Sequence, residues 1–299
     1  MSAPSPASRG ATRRLYELND PMPSEVRSGA RRFASVQALN ELVGVLPFAA
    51  WLGRAPSLAR KQMLMAKIQD EVGHGHVAAR VAQDLGADWE SILVDYVEGR
   101  AKVHNIFHYD FQTWEEFGPG LLLMNSAAIV QFQSLMRGVY LPYSRALRKI
   151  EREESFHYQH ALDMTHEVLH SGDTVQRRRV QEAFEVWMRR VLAYFGPPDT
   201  DSLPTNPMHV AGLKPHGNDE LRQLWLSRIV PVFTELGIHV DPDLVRETSP
   251  GAWEFDMPDW GEVKRVVAGG GPASEQRLAW VRGVLDRNAA DRIGRGVAA

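Results

Sequence analysis

Cysteine is absent from all 299 residues. That excludes disulfides, iron–sulfur clusters and thiolate nucleophiles together, and leaves histidine and carboxylates as the ligands for any metal. A redox enzyme built this way must take its electrons from another protein. Long apolar runs are lacking too. The most apolar stretch, residues 118–136, is interrupted by Asn125, Gln131 and Gln133, which argues against a membrane span. Net charge is only −3, so nucleic acid drawn in by bulk charge is not an expected partner. Residues 1–24 have no apolar core of a secretory signal and read as a disordered tail, so the expected location is the cytoplasm.

What the chain has instead is helical periodicity in long segments punctuated by glycine and proline. Helices are expected over 26–52, closed by Gly53 and Pro56, and over 57–85, closed by Gly86. A shorter one follows over 89–102. The aromatic-rich residues 106–114 fit a loop or a short strand. Further helices are expected over 120–139, 143–170, 174–195, 219–236 and 274–291, with a proline-rich arm at 196–218 and an acidic, aromatic patch ending at Trp260. The fold class is all-α: a four-helix bundle over 25–196, preceded by the tail and followed at 197–299 by the arm and a C-terminal helical extension packed on the bundle.

Two stretches carry chemistry. Asp70-Glu71-Val72-Gly73-His74 and Glu153-Glu154-Ser155-Phe156-His157 each place a glutamate three residues before a histidine. Residues three apart on a helix are neighbours, so each pair can grip one ion from a single face. Turn placement tests the idea. Glu41 lies twelve residues before Gly53 and Glu71 fifteen after Pro56; Asn125 lies thirteen before Gly138 and Glu154 twelve after Pro142. At about 1.5 Å per residue the first two stand roughly 18–22 Å from one turn, and the second hairpin has arms of similar length. Two such hairpins face to face bring Glu41, Glu71, Asn125 and Glu154 into one layer, the ligand arrangement of a ferritin-like di-iron bundle. Lys67, one turn before Glu71, can form a simple ion pair with it or neutralise a buried site carboxylate.

A third copy, Glu167-Val168-Leu169-His170, starts thirteen residues past Glu154 and so faces the far side of the same helix. With His166 it makes His166-Glu167-Val168-Leu169-His170, the pattern of zinc peptidases, in which two histidines bind zinc and the glutamate activates water. Its helix ends at Ser171-Gly172 and the sequel offers no evident third ligand. Exposed helical residues are the simpler reading.

Over about 34–281 the chain resembles the catalytic A subunits of bacterial phenylacetyl-CoA epoxygenases, which are multicomponent di-iron monooxygenases. The likeness rests on Glu41-Leu42-Val43-Gly44-Val45-Leu46-Pro47, Arg54-Ala55-Pro56, Ala66-Lys67-Ile68-Gln69-Asp70-Glu71, Gly73-His74-Gly75, Ala127-Ala128-Ile129-Val130, Glu153-Glu154-Ser155-Phe156-His157 and Asn218-Asp219-Glu220-Leu221-Arg222-Gln223. It implies Glu41, Glu71, His74, Glu154 and His157 as ligands of two iron ions, with O2 as co-substrate and electrons from an NADPH-dependent reductase. It also implies a structural ferritin-like partner subunit in a hetero- or homo-oligomer, and an aryl-CoA thioester epoxidised on its ring.

Glu71 and Glu154 suit bridging positions and Glu41 a terminal one. Where the family has an aspartate ahead of Ala127-Ala128-Ile129, this chain has Asn125, a neutral and weaker ligand for the other terminal position. The expected pocket is walled by the third long helix and by 106–109, and Arg100, Lys102 and Lys214 are expected to meet the CoA phosphates. Two further readings stand beside this one. The first is an oxygenase of the same fold acting on another acyl or biosynthetic aromatic substrate. The second is a non-catalytic ferritin-like scaffold, against which the retention of two costly Glu-x-x-His pairs speaks.

Overall fold

In the computed structural model, which describes residues 13–202 and 206–294, two helical hairpins face each other. The first joins α1 (Ser24–Gly44) to α3 (Leu58–Asp84) through the short α2 (Leu46–Ala49), and α4 (Trp89–Val97) packs on α1. The second joins α5 (Trp114–Leu135) to α6 (Leu141–Ser171), with α3 against α6 closing the bundle and α7 (Thr174–Leu192) covering α5. The chain continues through α8 (Asp199–Ser202) and α9 (Pro207–Val210) to α10 (Asn218–Glu235). A hairpin of β1 (Val245–Ser249) and β2 (Ala252–Phe255), then α11 (Trp260–Arg265) and α12 (Ser274–Gly294), complete it. The result is the all-α, ferritin-like bundle with two short strands added. Among the described residues, no helix is long and apolar enough to cross a membrane.

Several boundaries depart from the sequence-based expectation, each for a physical reason. The helix expected over 26–52 stops at Gly44, because Pro47 in the first turn of α2 has no N–H with which to continue the ladder. The turned segment carries Phe48 and Trp51 into an aromatic core with Phe111 and Phe117, and Trp51 Nε1 donates to the Phe111 carbonyl at 3.1 Å. α5 starts well before the expected Gly120, capped by Thr113, whose Oγ1 accepts from the Glu116 N–H at 3.2 Å. Gly118 and Gly120 are there for close packing. A Cβ at Gly118 would meet Thr165 Oγ1 of α6 at 2.8 Å, and one at Gly120 would meet the Phe111 ring at 2.6 Å and Trp187 of α7 at 3.2 Å.

Residues 106–114 hold no strand: they open within a 3-10 turn, Asn105–His108, and run on as a loop to the start of α5 at Trp114. The patch before Trp260 contains the unexpected hairpin; in β1 only Val245 is buried, so little apolar alternation marks it in the sequence. The expected tail also packs: the N–H of buried Tyr16 donates to the Val139 carbonyl at 2.9 Å, and its own carbonyl accepts from Leu141 at 3.0 Å. Residues 1–12 of that tail lie outside the described residues.

The C-terminal extension bears on the bundle interior. Trp225 Nε1 of α10 donates to Ser126 Oγ of α5 at 2.8 Å, and fully buried Arg222 donates to the carbonyls of Leu192 and Gly196 and pairs with Asp219. From α12, Arg277 donates to the Phe107 carbonyl at 3.1 Å and pairs with Asp110, while Ser274 Oγ lies 2.7 Å from His108 Nδ1. The last helix thereby fixes the 3-10 turn whose other side looks into the bundle.

Candidate metal centre

α3 and α6 lie side by side so that Glu71, His74, Glu154 and His157 enter one buried space, joined by Glu41 from α1 and Asn125 from α5. Ligand atoms of Glu41, Glu71, His74 and Glu154 all lie within 4.8 Å of one another. Glu71 places Oε2 3.4 Å from His74 Nδ1 and Oε1 3.6 Å from His157 Nδ1. Glu154 repeats the arrangement, with Oε1 3.5 Å from His74 Nδ1 and Oε2 3.4 Å from His157 Nδ1. Each of these carboxylates spans both imidazoles.

The far sides of the two rings are held crosswise. His74 Nε2 lies 2.9 Å from Glu153 Oε2 of α6, and His157 Nε2 lies 3.2 Å from Asp70 Oδ2 of α3. A carboxylate at Nε2 holds the proton there and leaves the Nδ1 lone pair facing inward. Sequence reasoning misses Asp70 and Glu153. Their signal is that each immediately precedes a glutamate of the cluster, but each contacts the histidine of the opposite helix. The donor set fits a metal ion: His74 Nδ1 is buried without a hydrogen-bond partner amid carboxylates, and imidazole with carboxylate oxygens suits iron and related divalent ions.

Lys67 is buried in the same cluster. It donates to Glu71, lies 3.2 Å from His157 Nδ1 and 3.5 Å from Asn125 Oδ1, and sits 4.7 Å from the centre of the Phe48 ring. Burial drives the Glu41 pKa well above the usual carboxylate range, and the charges of Glu71 and Glu154 add to it. Burial pushes Glu71 the same way, but the Lys67 ammonium and the His74 contact outweigh it and hold Glu71 well below that range. For His74, burial favours the neutral ring, yet the Glu71 contact and the Glu154 charge raise its pKa overall.

A carboxyl group whose folded pKa is raised adds stability below its unfolded pKa and loses it as pH rises through the folded value. Burial of Glu41 therefore favours its protonated form and costs stability as pH rises toward its folded pKa; a bound ion would compete with that proton. Calorimetric titration with Co2+ across pH should show affinity rising by up to about tenfold per pH unit until Glu41 ionises, and Glu41→Gln should flatten that rise.

A cavity of about 50 Å3 adjoins the cluster, with Gly44, Phe48, Ile106, Phe107, Met124 and Phe132 among its lining residues. Gln37, Asn40, His104 and Tyr194 supply polar groups that the sequence reading does not identify. Burial, together with the nearby Lys214 charge, lowers His104 to a pKa of about 4, and its ring lies 4.4 Å from that of Tyr194. Tyr109, expected in the wall, does not line this cavity; it lies beneath the Arg190 guanidinium, 3.9 Å from the ring centre. Lys214 is buried, donates to Asn218, and is lowered by burial to a pKa of about 8. Arg100 is exposed and paired with Asp95 and Glu98, and Lys102 is exposed. His166, Glu167 and His170 are exposed on α6, Glu167 is held by Arg60, and no further metal-ligating residue joins them among the described residues.

Fold and site together define a helical-bundle protein whose core carries a carboxylate–histidine cluster able to hold metal. A family model described as "Phenylacetic acid catabolic protein" matches residues 5–282, and the chain belongs to that family. Over 288 residues it is 37% identical to the 1,2-phenylacetyl-CoA epoxidase A subunit of Escherichia coli (strain K12), a match covering 94% of this chain and 93% of that protein.

Proposed function

We propose that this chain is the oxygen-activating component of a multicomponent di-iron monooxygenase that epoxidises the ring of an aryl-CoA thioester, phenylacetyl-CoA or a near analogue, in the cytoplasm. One observation carries the reading: Glu71 and Glu154 each direct one oxygen toward His74 and the other toward His157, and both line a cavity. The relative named as part of an epoxidase supports it. Glu41, Glu71, His74, Glu154 and His157 are the residues to hold two iron ions, with Asn125 beside them. Bound iron supplies the redox chemistry that divides O2 between the substrate ring and water.

The protein's own part is placement. Asp70 and Glu153 keep the imidazole protons at Nε2, and Phe48, Ile106, Phe107, Met124 and Phe132 in the cavity lining limit the access of bulk water to the carboxylates. As it stands the cavity has room for about three or four waters. An aryl group enters only when aromatic side chains such as Phe107 or Phe132 turn aside. Lys214, whose charge reaches His104 in the cavity wall, is the best placed of the three cations for an anionic substrate tail, with Arg100 and Lys102 further out on the surface. Electrons would come from an NADPH-dependent reductase, as the resemblance implies; the chain has no cysteine for an iron–sulfur centre of its own.

The test is an iron-loaded complex with its reductase and structural partner, given isotopically labelled O2 and a panel of aryl-CoA esters. One labelled oxygen in the CoA product is expected. Activity confined to another acyl group would move the substrate assignment, and no oxygenated product from any ester would overturn the reading.

A further inference from the structure

Resting on that metal reading, we propose that Lys67 is a stand-in cation. Its ammonium holds the His157 side of the site, so the chain takes a first divalent ion between Glu41, Glu71, His74 and Glu154, and a second only when Lys67 gives way.

The two halves of the cluster look alike in sequence and differ in space. On one side, His74 Nδ1 faces two carboxylates at 3.4 and 3.5 Å and has no hydrogen-bond partner. On the other, His157 Nδ1 lies at a similar distance from the same carboxylates but has Lys67 Nζ 3.2 Å away. The four residues whose ligand atoms already converge include His74 and leave out His157. Lys67 is fixed by Glu71 and by the Phe48 ring face, with Asn125 Oδ1 nearby. One half is open to an ion; the other already contains a positive charge.

Charge counting points the same way. With neutral imidazoles, the buried Glu41, Glu71 and Glu154 supply three negative charges and Lys67 one positive, so a single divalent ion brings this buried set to neutrality, while Asp70 and Glu153 lie at the partly exposed rim, Glu153 already paired with Lys149. A second would leave it two charges positive, at a high desolvation cost. Asn125 cannot relieve this: it is buried and neutral, and its Nδ2 has no partner. Lys67 is an unbranched, flexible side chain one turn before Glu71 and can withdraw its ammonium without a change in the helix.

The experiment is anaerobic titration of the metal-free chain with Co2+, read by calorimetry, by visible absorption and by the metal retained after desalting. Two steps are expected, the second at least about tenfold weaker than the first. Lys67→Met should strengthen the second step by about tenfold with little effect on the first, and Asn125→Asp should act in the same direction without removing the buried ammonium. His157→Ala should remove only the second step, whereas His74→Ala should weaken the first. Two equally tight ions in the unaltered chain would overturn stepwise uptake and leave the oxygenase reading standing, as would a second step unmoved in both Lys67→Met and Asn125→Asp. No bound ion in any variant would overturn the oxygenase reading itself.

Discussion

Glu71→Ala or Glu154→Ala is expected to leave the chain without retained iron and without oxygenation, whereas His170→Ala keeps both. The reason is geometric. Each of these carboxylates approaches both His74 and His157 within 3.4–3.6 Å, so removing either strips a ligand from both halves of the site at once. Loss of a residue merely supporting a ligand costs about 10–100-fold in metal affinity, so removal of a shared ligand should cost more than about a hundredfold. Glu71→Ala also leaves Lys67 buried without its ion-pair partner, which lowers stability in its own right. Glu154→Ala carries no such burden and is the cleaner variant. His170 is exposed on the far side of α6, so its removal should register in neither measurement. Metal analysis after desalting, paired with thermal melting, separates loss of ligands from loss of fold. Retained iron in Glu154→Ala would refute the shared-ligand geometry.

Asp70→Asn and Glu153→Gln should each lower metal affinity by about 10–100-fold while leaving the melting temperature nearly unchanged. Both acids are partly exposed, with side-chain exposures of 38% and 28%, so neither supports the core. Their effect runs through the rings: a carboxylate at Nε2 makes Nδ1 more basic and fixes the plane in which it points. Because the pairs cross between helices, Asp70→Asn on α3 should disturb the His157 half, and Glu153→Gln on α6 the His74 half. Visible absorption of the Co2+-loaded chain distinguishes them, since the first should alter the second step and the second the first. If both variants disturb the same step, the crosswise pairing is wrong. Glu153 also accepts from Lys149 at 2.7 Å, so Lys149→Ala is the control for loss of a surface ion pair alone.

The cluster of acids and imidazoles was legible because helical spacing is rigid: a glutamate three residues before a histidine shares its face whatever surrounds the helix. Matching arm lengths then put four positions at one height. Less legible was everything governed by which small residue does what. Gly118 and Gly120 look like a helix start and are sites of close approach to α6 and α7. Pro47 looks like a residue inside a long helix and ends it. His104 and Tyr194 give no local hint of a cavity wall, being separated from the motifs by whole elements.

By itself the sequence determined that no thiolate chemistry exists here, that four long helices form, and that two acid–imidazole pairs with Glu41 occupy one level, since these follow from composition and from a fixed rise and turn per residue. Only tertiary structure decided that Asp70 and Glu153 serve the opposite helix, and that Lys67 lies beside His157 while His74 is left open. Those outcomes depend on how α3 and α6 are rotated against each other, and that rotation is set by packing across the whole core, which no local stretch of residues encodes.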